Sequence, residues 1–297
     1  MNQQERILVT GASGYIGKNF VRNTLEIWNE RGLTSKDVLM ILSCSPGKEV
    51  NIQDSRVIQT FQPIFSRTEN LYTSLGSPTS CIHLAWKDGF RHNSDAHMKY
   101  LSDHVGFCTH LMRNGIKRMV VLGTMHEIGY WKGMVDENTP CSPLTQYGIA
   151  KNALRQSLLI SAREFNCKFH WLRAFYITGE EKMGCNVFSK ILEASERGEK
   201  TFPFTSGLNK YDFVDINELS RMILAATFSD SQKQIINVCS GKPIALADKV
   251  EAFIAEKKLP ITLLYGHFPD RKYDSPEIWG DPTEIRHIML TSKNLLG

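Results

Sequence analysis

Paired cysteine motifs are missing from this 297-residue chain. Its cysteines are odd in number and widely spaced, which fits neither a disulfide framework nor a zinc site built from Cys-x-x-Cys pairs. We therefore expect reduced cysteines that pack mostly as small apolar residues, and no metal site. They are Cys44, Cys81, Cys108, Cys141, Cys167, Cys185 and Cys239.

Long apolar runs and blocks of one charge are missing as well. No stretch approaches the ~20 apolar residues of a membrane helix, and the polar residues 1–6 lead directly into a strand-like segment. The 35 basic and 31 acidic residues are scattered, with no Lys/Arg cluster that would bind a phosphate backbone. The sequence thus predicts a cytoplasmic globular protein that binds neither nucleic acid nor membranes.

Short β-branched runs alternate with longer segments of helical period. The predicted strands are 7–10, 38–43, 81–84, 119–122, 169–173 and 235–238, and the predicted helices are 16–28, 93–113, 144–165 and 216–228. This alternation indicates an α/β fold, a Rossmann-type doubly wound parallel sheet with helices on both faces.

The alternation loosens after residue 173 into pieces punctuated by glycine and proline. We expect a smaller, mostly C-terminal α/β lobe for the substrate there. Because the strand at 235–238 returns to the main sheet, the two units are interleaved: 1–178 plus about 212–242 for the dinucleotide-binding domain, and about 179–211 and 243–297 for the lobe.

A glycine-rich segment follows the first strand and opens the first helix. Gly11 permits a tight turn, Gly14 permits close approach of a phosphate, and Gly17 permits close helix packing. Backbone N–H groups at a helix start hold a pyrophosphate, so a dinucleotide site is predicted here, with a ligand-free turn as the alternative. The predicted contacts are Gly11, Ser13, Gly14, Tyr15, Ile16 and Gly17.

The end of the second strand bears on the choice of cofactor. An NAD enzyme usually places a carboxylate against the ribose 2′-hydroxyl there, and residues 42–48 contain none. Ser43, Ser45 and Lys48 are instead suited to a 2′-phosphate. We expect NADP(H) rather than NAD, although Lys48 is equally consistent with a solvated loop lysine.

Tyr147 and Lys151 lie four residues apart, on one face of the helix predicted at 144–165. A phenol has an ordinary pKa of about 10, and a nearby ammonium is expected to lower it. On its own the pattern is also consistent with an exposed tyrosine beside an exposed lysine. Together with the glycine segment it predicts a catalytic pair.

Several segments resemble those of the extended short-chain dehydrogenase/reductases that modify nucleotide sugars: GASGYIG at 11–17, HLA at 83–85, Thr124, YGIAK at 147–151 and LRAFYITG at 172–179. The resemblance implies that Tyr147 exchanges a proton with the sugar, that Thr124 hydrogen-bonds the same oxygen, and that Lys151 also binds the nicotinamide ribose. It further implies cofactor contacts at Leu84, Ala85 and Ala174. By the same analogy, helices 93–113 and 144–165 form a homodimer contact.

The two positions after Thr124 distinguish reactions within that family. Sugar 4,6-dehydratases have Asp then Glu there, whereas this chain has Met125 and His126. His126 is suited to moving a proton beside a carbonyl, because imidazole titrates near neutral pH, although a lone histidine more often has an orienting or structural role. The simplest reaction is NADPH-dependent reduction of the C4 ketone of a nucleoside-diphosphate 4-keto-6-deoxyhexose.

Two other functions stay open. One is an NAD-dependent nucleotide-sugar 4-epimerase, and the other, from a different class, is a non-catalytic NADP(H)-binding regulator. Candidate substrate contacts, besides Thr124, Met125, His126 and Tyr147, are Asn186, Tyr211 and Arg271. Tyr211 stands where the family often has a diphosphate-binding Arg, and Arg271 offers the planar guanidinium that such a contact needs.

Overall fold

The computed structural model describes residues 4–179, 186–271 and 273–292. Its main sheet has seven parallel strands, β1 (Glu5–Thr10), β2 (Val38–Ser43), β3 (Val57–Thr60), β4 (Ser80–His83), β5 (Arg118–Thr124), β7 (Lys168–Ala174) and β11 (Ile235–Val238). All six predicted strands are present, so the expected α/β class with a doubly wound parallel sheet is confirmed.

The strand order is β11-β7-β5-β4-β1-β2-β3, so the chain changes direction across the sheet between β1 and β4. Ligands of such sheets bind beyond the carboxyl ends of the strands at this switch point. The register aligns those ends: Thr10 pairs with both Ser43 and His83, and Thr124 pairs with Ala174. The sequence prediction missed β3, a partly exposed edge strand without an apolar run.

Helices cover both faces of the sheet. The side chains of β1 alternate: Ile7 and Val9 pack toward α1 (Tyr15–Glu30) and α7 (Ile216–Phe228), while Leu8 packs toward α4 (Leu101–Arg113) and α5 (Gln146–Glu164). Each face is therefore a continuous apolar core. The homodimer contact expected on α4 and α5 stays a prediction.

The helix predicted over 93–113 is wrong at its start. The chain forms a short helix α3 (Ala96–Lys99), leaves helical geometry at Tyr100, and continues as α4. Residues before Ala96 are used otherwise: the side chain of Asn93 accepts a hydrogen bond from the amide of Gln146 at 3.2 Å. Asn93 therefore caps α5 and does not belong to the helix that the sequence periodicity predicted.

A second sheet has the order β12-β10-β14-β6, with β8 also paired to β10. Its strands are β6 (Gly133–Val135), β8 (Tyr176–Thr178), β10 (Lys210–Asp215), β12 (Pro243–Ala245) and β14 (Glu277–Gly280). The remaining elements are α2 (Leu71–Ser74), α6 (Val187–Glu196), β9 (Thr201–Pro203), α8 (Leu246–Glu256), β13 (Thr262–Leu264) and α9 (Thr283–Thr291).

Buried Asp212 joins three segments of this second sheet. Its carboxylate accepts hydrogen bonds from the amides of Ser240, Gly241 and Gly280 at 2.8, 2.8 and 3.2 Å. Two strands of the sheet, β6 and β8, come from before residue 179, and the domain division given above stays a prediction.

The residues that the structure describes include no helix long and apolar enough to cross a membrane. Over the same ranges no group of three or more His, Cys, Asp or Glu side chains is arranged to hold a metal ion. Five of the cysteines are buried and Cys141 is half-buried, all with free thiols; Cys185 lies outside the described residues.

Candidate active site

The glycine segment between β1 and α1 is built by close backbone contacts. Gly11 has a φ of +71°, and a Cβ there would lie 2.7 Å from the amide nitrogen of Ala85. A Cβ on Gly17 would lie 2.1 Å from the carbonyl oxygen of Gly11, closer than atoms approach. Both positions therefore require glycine, and the predicted Leu84 and Ala85 lie against this segment.

Gly14 is the exposed N-cap of α1 and has no side chain that would cover the first-turn amides. The positive end of a 16-residue helix is thus open to an anion. Ser13 and Ile16 lie beside it, half-buried, and the Tyr15 hydroxyl donates to the Gly179 carbonyl at 2.5 Å. These residues fit the pyrophosphate of a dinucleotide.

The loop after β2 differs from its sequence interpretation. Ser43 ends β2 beside Thr10, whereas Ser45 and Lys48 are exposed in a turn. Glu49, one residue beyond the segment considered in the sequence, folds back so that its carboxylate accepts from the Gly47 amide at 3.1 Å. A carboxylate does lie in this loop, close to the place assigned to a 2′-phosphate.

The first turn of α5 presents the catalytic candidates. The side chain of Thr145 caps the helix by accepting from the Gly148 amide at 3.1 Å, and the Tyr147 amide donates to the carbonyl of His92 at 2.8 Å. The Tyr147 hydroxyl shares a hydrogen bond with the side chain of Thr124, at the end of β5. The structure thus brings Tyr147 and Thr124 into direct contact.

Lys151 lies one turn further along α5 and is only 4% exposed. Its Nζ donates to the Leu122 carbonyl at 2.7 Å. Burial lowers the pKa of Lys151 to about 7, against the opposing effect of the Glu127 charge. The expected lowering of the Tyr147 pKa is wrong: burial raises it to about 12, outweighing the hydrogen bond from Thr124, so Tyr147 is a neutral phenol that has a proton to donate.

His126 lies in a single 3₁₀ turn (Met125–Glu127) that follows Thr124, whose hydroxyl accepts from the His126 amide at 3.2 Å. Its ring centroid is 6.1 Å from that of Tyr147. Burial, then the charges of His92 and Arg271, lower the His126 pKa to about 3. The expectation that this imidazole titrates near neutral pH is therefore wrong, because it is neutral there.

Glu127 has a role that sequence reasoning missed. Its fully buried carboxylate pairs with Arg173 Nε at 2.6 Å and Arg155 Nε at 3.2 Å, and accepts from the Trp171 indole at 3.1 Å. Two guanidinium groups and an indole satisfy the buried charge and fix the turn that follows Thr124. The sequence signal for this ionic cluster was Arg155, a second basic residue one helical turn beyond Lys151.

Of the substrate candidates, two are already engaged inside the protein. Asn186 is the N-cap of α6, accepting from the Ser189 amide at 3.1 Å. Tyr211 is 4% exposed, and its hydroxyl donates to Asp274 at 3.3 Å. Arg271 is exposed, and its charge lowers the pKa of both His92 and His126. It therefore lies near the two histidines whose rings contact Tyr147.

A pocket lies beside His126 and the start of α5. Its lining residues are Met125, His126, Gly129, Leu144, Thr145, Tyr273, Asp274 and Ser275. The His92 ring, which sequence reasoning also missed, lies 4.3 Å from that of His126 and is stacked at 5.6 Å on Tyr147. The pocket therefore meets the catalytic candidates at His126, whose ring is 6.1 Å from that of Tyr147, whereas Tyr147, Thr124 and Lys151 are not among the residues that line it.

Comparison with known proteins gives consistent matches to a family, to a relative and to solved structures. The NAD dependent epimerase/dehydratase family matches residues 7–239. A protein of Aggregatibacter actinomycetemcomitans named dTDP-6-deoxy-L-talose 4-dehydrogenase (NAD(+)) is 39% identical over 278 residues, 92% of this chain and 98% of the relative.

Solved structures share the fold at lower identity. The UDP-glucose 4-epimerase of Thermotoga maritima with UDP-glucose superposes with a TM-score of 0.77 at 20% identity, covering 98% of this chain and 97% of that one. The dTDP-glucose 4,6-dehydratase of Streptomyces venezuelae with NAD has a TM-score of 0.78 at 17% identity, covering 95% and 90%. These structures confirm the fold, and the family match together with the 39% identical relative confirms the predicted family.

Proposed function

Because the chain belongs to the NAD-dependent epimerase/dehydratase family, we propose that it reduces the C4 ketone of a nucleoside-diphosphate 4-keto-6-deoxyhexose. The observation that carries the proposal is the neutral Tyr147 phenol, hydrogen-bonded to Thr124 with Lys151 on the same helix face. The name of the 39% identical relative supports it, since 4-dehydrogenation of a 6-deoxyhexose is the reverse reaction.

In this reaction Tyr147 donates its proton to the C4 oxygen as the ketone becomes an alcohol. A reduced nicotinamide cofactor, held by residues 11–17 when bound, would supply the hydride for C4. Thr124 donates a hydrogen bond to the same oxygen and polarises the carbonyl. Lys151, in its ammonium form, stabilises the phenolate that Tyr147 leaves behind. Met125 and His126 offer no carboxylate pair for elimination of water, which argues against dehydration.

We assign NAD(H) rather than the NADP(H) expected from the sequence. The Glu49 carboxylate on the Gly47 amide would repel a 2′-phosphate, and the exposed Lys48 is the one cation in that turn. The relative named above carries NAD(+) in its name, which supports the same choice. Residues 11–17 would hold the pyrophosphate.

The test is oxidation of reduced nicotinamide by a panel of nucleoside-diphosphate 4-keto-6-deoxyhexoses, with NADH and NADPH compared. We expect NADH to be preferred, and Tyr147→Phe to lower kcat by about 10²- to 10⁴-fold, the usual contribution of a general acid. Tyr130→Phe, at an exposed tyrosine, is the matched control and should keep its activity.

Two results would contradict this proposal. Absence of oxidation with every ketone, together with NAD released from the protein on denaturation, would favour a 4-epimerase, the activity named for several relatives of 21–24% identity. A Tyr147→Phe protein as active as the wild type would remove Tyr147 from the mechanism.

A further inference from the structure

Trp86 follows β4 and contacts the catalytic lysine. The Nζ of Lys151 lies 4.0 Å from the centroid of the Trp86 ring, while the Trp171 ring is at 5.9 Å. A cation over an indole face at this distance is attracted by the ring, more so when both are removed from water. Besides the Leu122 carbonyl, the Trp86 face is therefore a direct contact of the ammonium.

Hydrogen bonds and stacking fix the Trp86 ring. Its Nε1 donates to the Nδ1 of His97 at 3.1 Å, and the Nε2 of His97 lies 2.9 Å from the carbonyl of Arg91. Because the indole N–H can only donate, Nδ1 accepts this bond and Nε2 is left to donate to the Arg91 carbonyl. The indole also stacks on His104 at 4.5 Å with the planes 21° apart.

The wall behind the indole carries no charge. Thr10 Oγ1 lies 2.7 Å from Nδ1 of His83, whose Nε2 is 2.8 Å from Nδ1 of His104. Burial lowers the pKa of His83 and lowers that of His104 to about 3. Both imidazoles are neutral, so neither repels the ammonium of Lys151 through the ring.

Trp86 also meets the second member of the catalytic pair. Its ring and that of Tyr147 form a T-shaped contact with centroids 6.2 Å apart. One side chain therefore touches both Tyr147 and Lys151, although it lies on neither α5 nor β5.

We propose that Trp86 is a positioning residue, whose indole face holds the Lys151 ammonium while its ring packs against Tyr147. The inference rests on the proposed function, which needs a cation near the proton donor. The titratable groups that act on Lys151 are His83, His104, Cys108 and Glu127. Glu127 is the one carboxylate among these four groups. Burial raises the pKa of the Cys108 thiol and keeps it protonated.

The test titrates Lys151 by NMR in protein labelled with ¹³C at lysine Cε, the signal being assigned by its loss in Lys151→Arg. Trp86→Leu removes the ring face, and Trp86→Phe keeps one. We expect the pKa of Lys151 to fall by about 0.5 to 1.5 pH units in Trp86→Leu and by less in Trp86→Phe. Trp86→Met replaces the leucine variant if that protein does not fold.

Activity gives the second readout. Trp86→Leu should lower kcat and move the acidic limb of the oxidative pH profile upward, since a less charged Lys151 favours the Tyr147 phenolate less. Trp86→Phe should restore part of both. Phe90→Leu, at an exposed ring in the same loop, is the matched control.

A Lys151 pKa that rises in Trp86→Leu would mean that the ring only excluded water, and an unchanged pKa would mean that it does not bind the ammonium. Either result overturns the inference. A wild-type protein without any turnover would instead contradict the proposed function, and the titration would still decide whether Trp86 holds Lys151.

Discussion

Two regions of the candidate site are built on opposite principles. The cradle of residues 11–17 is shaped by backbone atoms at the limit of approach and contains no charged side chain. The floor beneath the 3₁₀ turn is an ionic cluster of Glu127, Arg155 and Arg173, with buried Lys151 beside it. The first keeps its shape by excluding side chains, and the second by pairing buried charges.

The difference predicts different weaknesses. A cradle that depends on sterics is insensitive to pH and fails when a single methyl group is added. A buried ionic floor tolerates changes of shape poorly. It tolerates loss of one charge more poorly still, because the remaining ion stays buried without water or a counter-charge. Three substitutions test this contrast, from the largest expected effect to the smallest.

Gly17→Ala should abolish measurable cofactor binding. Its Cβ would lie 2.1 Å from the Gly11 carbonyl oxygen, so the turn to which we assign the pyrophosphate must move. Calorimetric titration with NAD at neutral and at mildly alkaline pH measures the effect, which should be the same at both. Gly106→Ala, within α4 and with open space around the added methyl, should bind NAD like the wild type.

Glu127→Gln should lower the free energy of unfolding by about 3–5 kcal/mol, because it leaves two buried guanidinium groups without a counter-charge. Urea denaturation measures it. The control is Glu199→Gln, which breaks the exposed Arg197–Glu199 pair and should cost under about 1 kcal/mol. Equal losses in the two variants would show that the floor is no more than a surface pair.

Lys151→Met should change how stability depends on pH. The folded pKa of Lys151, about 7, lies below its ordinary value of 10.5, so above pH 7 the unfolded chain binds more protons than the folded one. Stability of the wild type therefore rises with pH, by about 2 kcal/mol between pH 7 and 8.5 from this group alone.

The methionine variant lacks this pH-dependent contribution to stability. The difference in unfolding free energy between Lys151→Met and wild type, measured by urea denaturation across this range, should shrink as pH rises. A difference that stays constant would mean that Lys151 is not destabilised by burial.

The parts of the site set by local geometry were predictable from the sequence. The glycine spacing at 11–17 requires backbone contacts within a strand, a turn and a helix start, and the spacing of Tyr147 and Lys151 places both on one helix face. These patterns depend on residues close in the chain, so sequence periodicity and spacing are enough to predict them.

Interactions between distant segments were not predictable. Glu127 meets Arg173 across 46 positions, and the His92 carbonyl reaches the amide of Tyr147 from another loop. Burial also reversed two expectations, because the pKa of Tyr147 rose and that of His126 fell with removal from water. A sequence alone does not give the depth at which a side chain lies.

The loop between β4 and α3 has a consequence for engineering. Through the His92 carbonyl and the Asn93 side chain it caps the first turn of α5, the turn that carries Tyr147. Grafting a loop of different length here would remove both contacts and uncap the helix turn that presents Tyr147. A successful graft must therefore reproduce both caps.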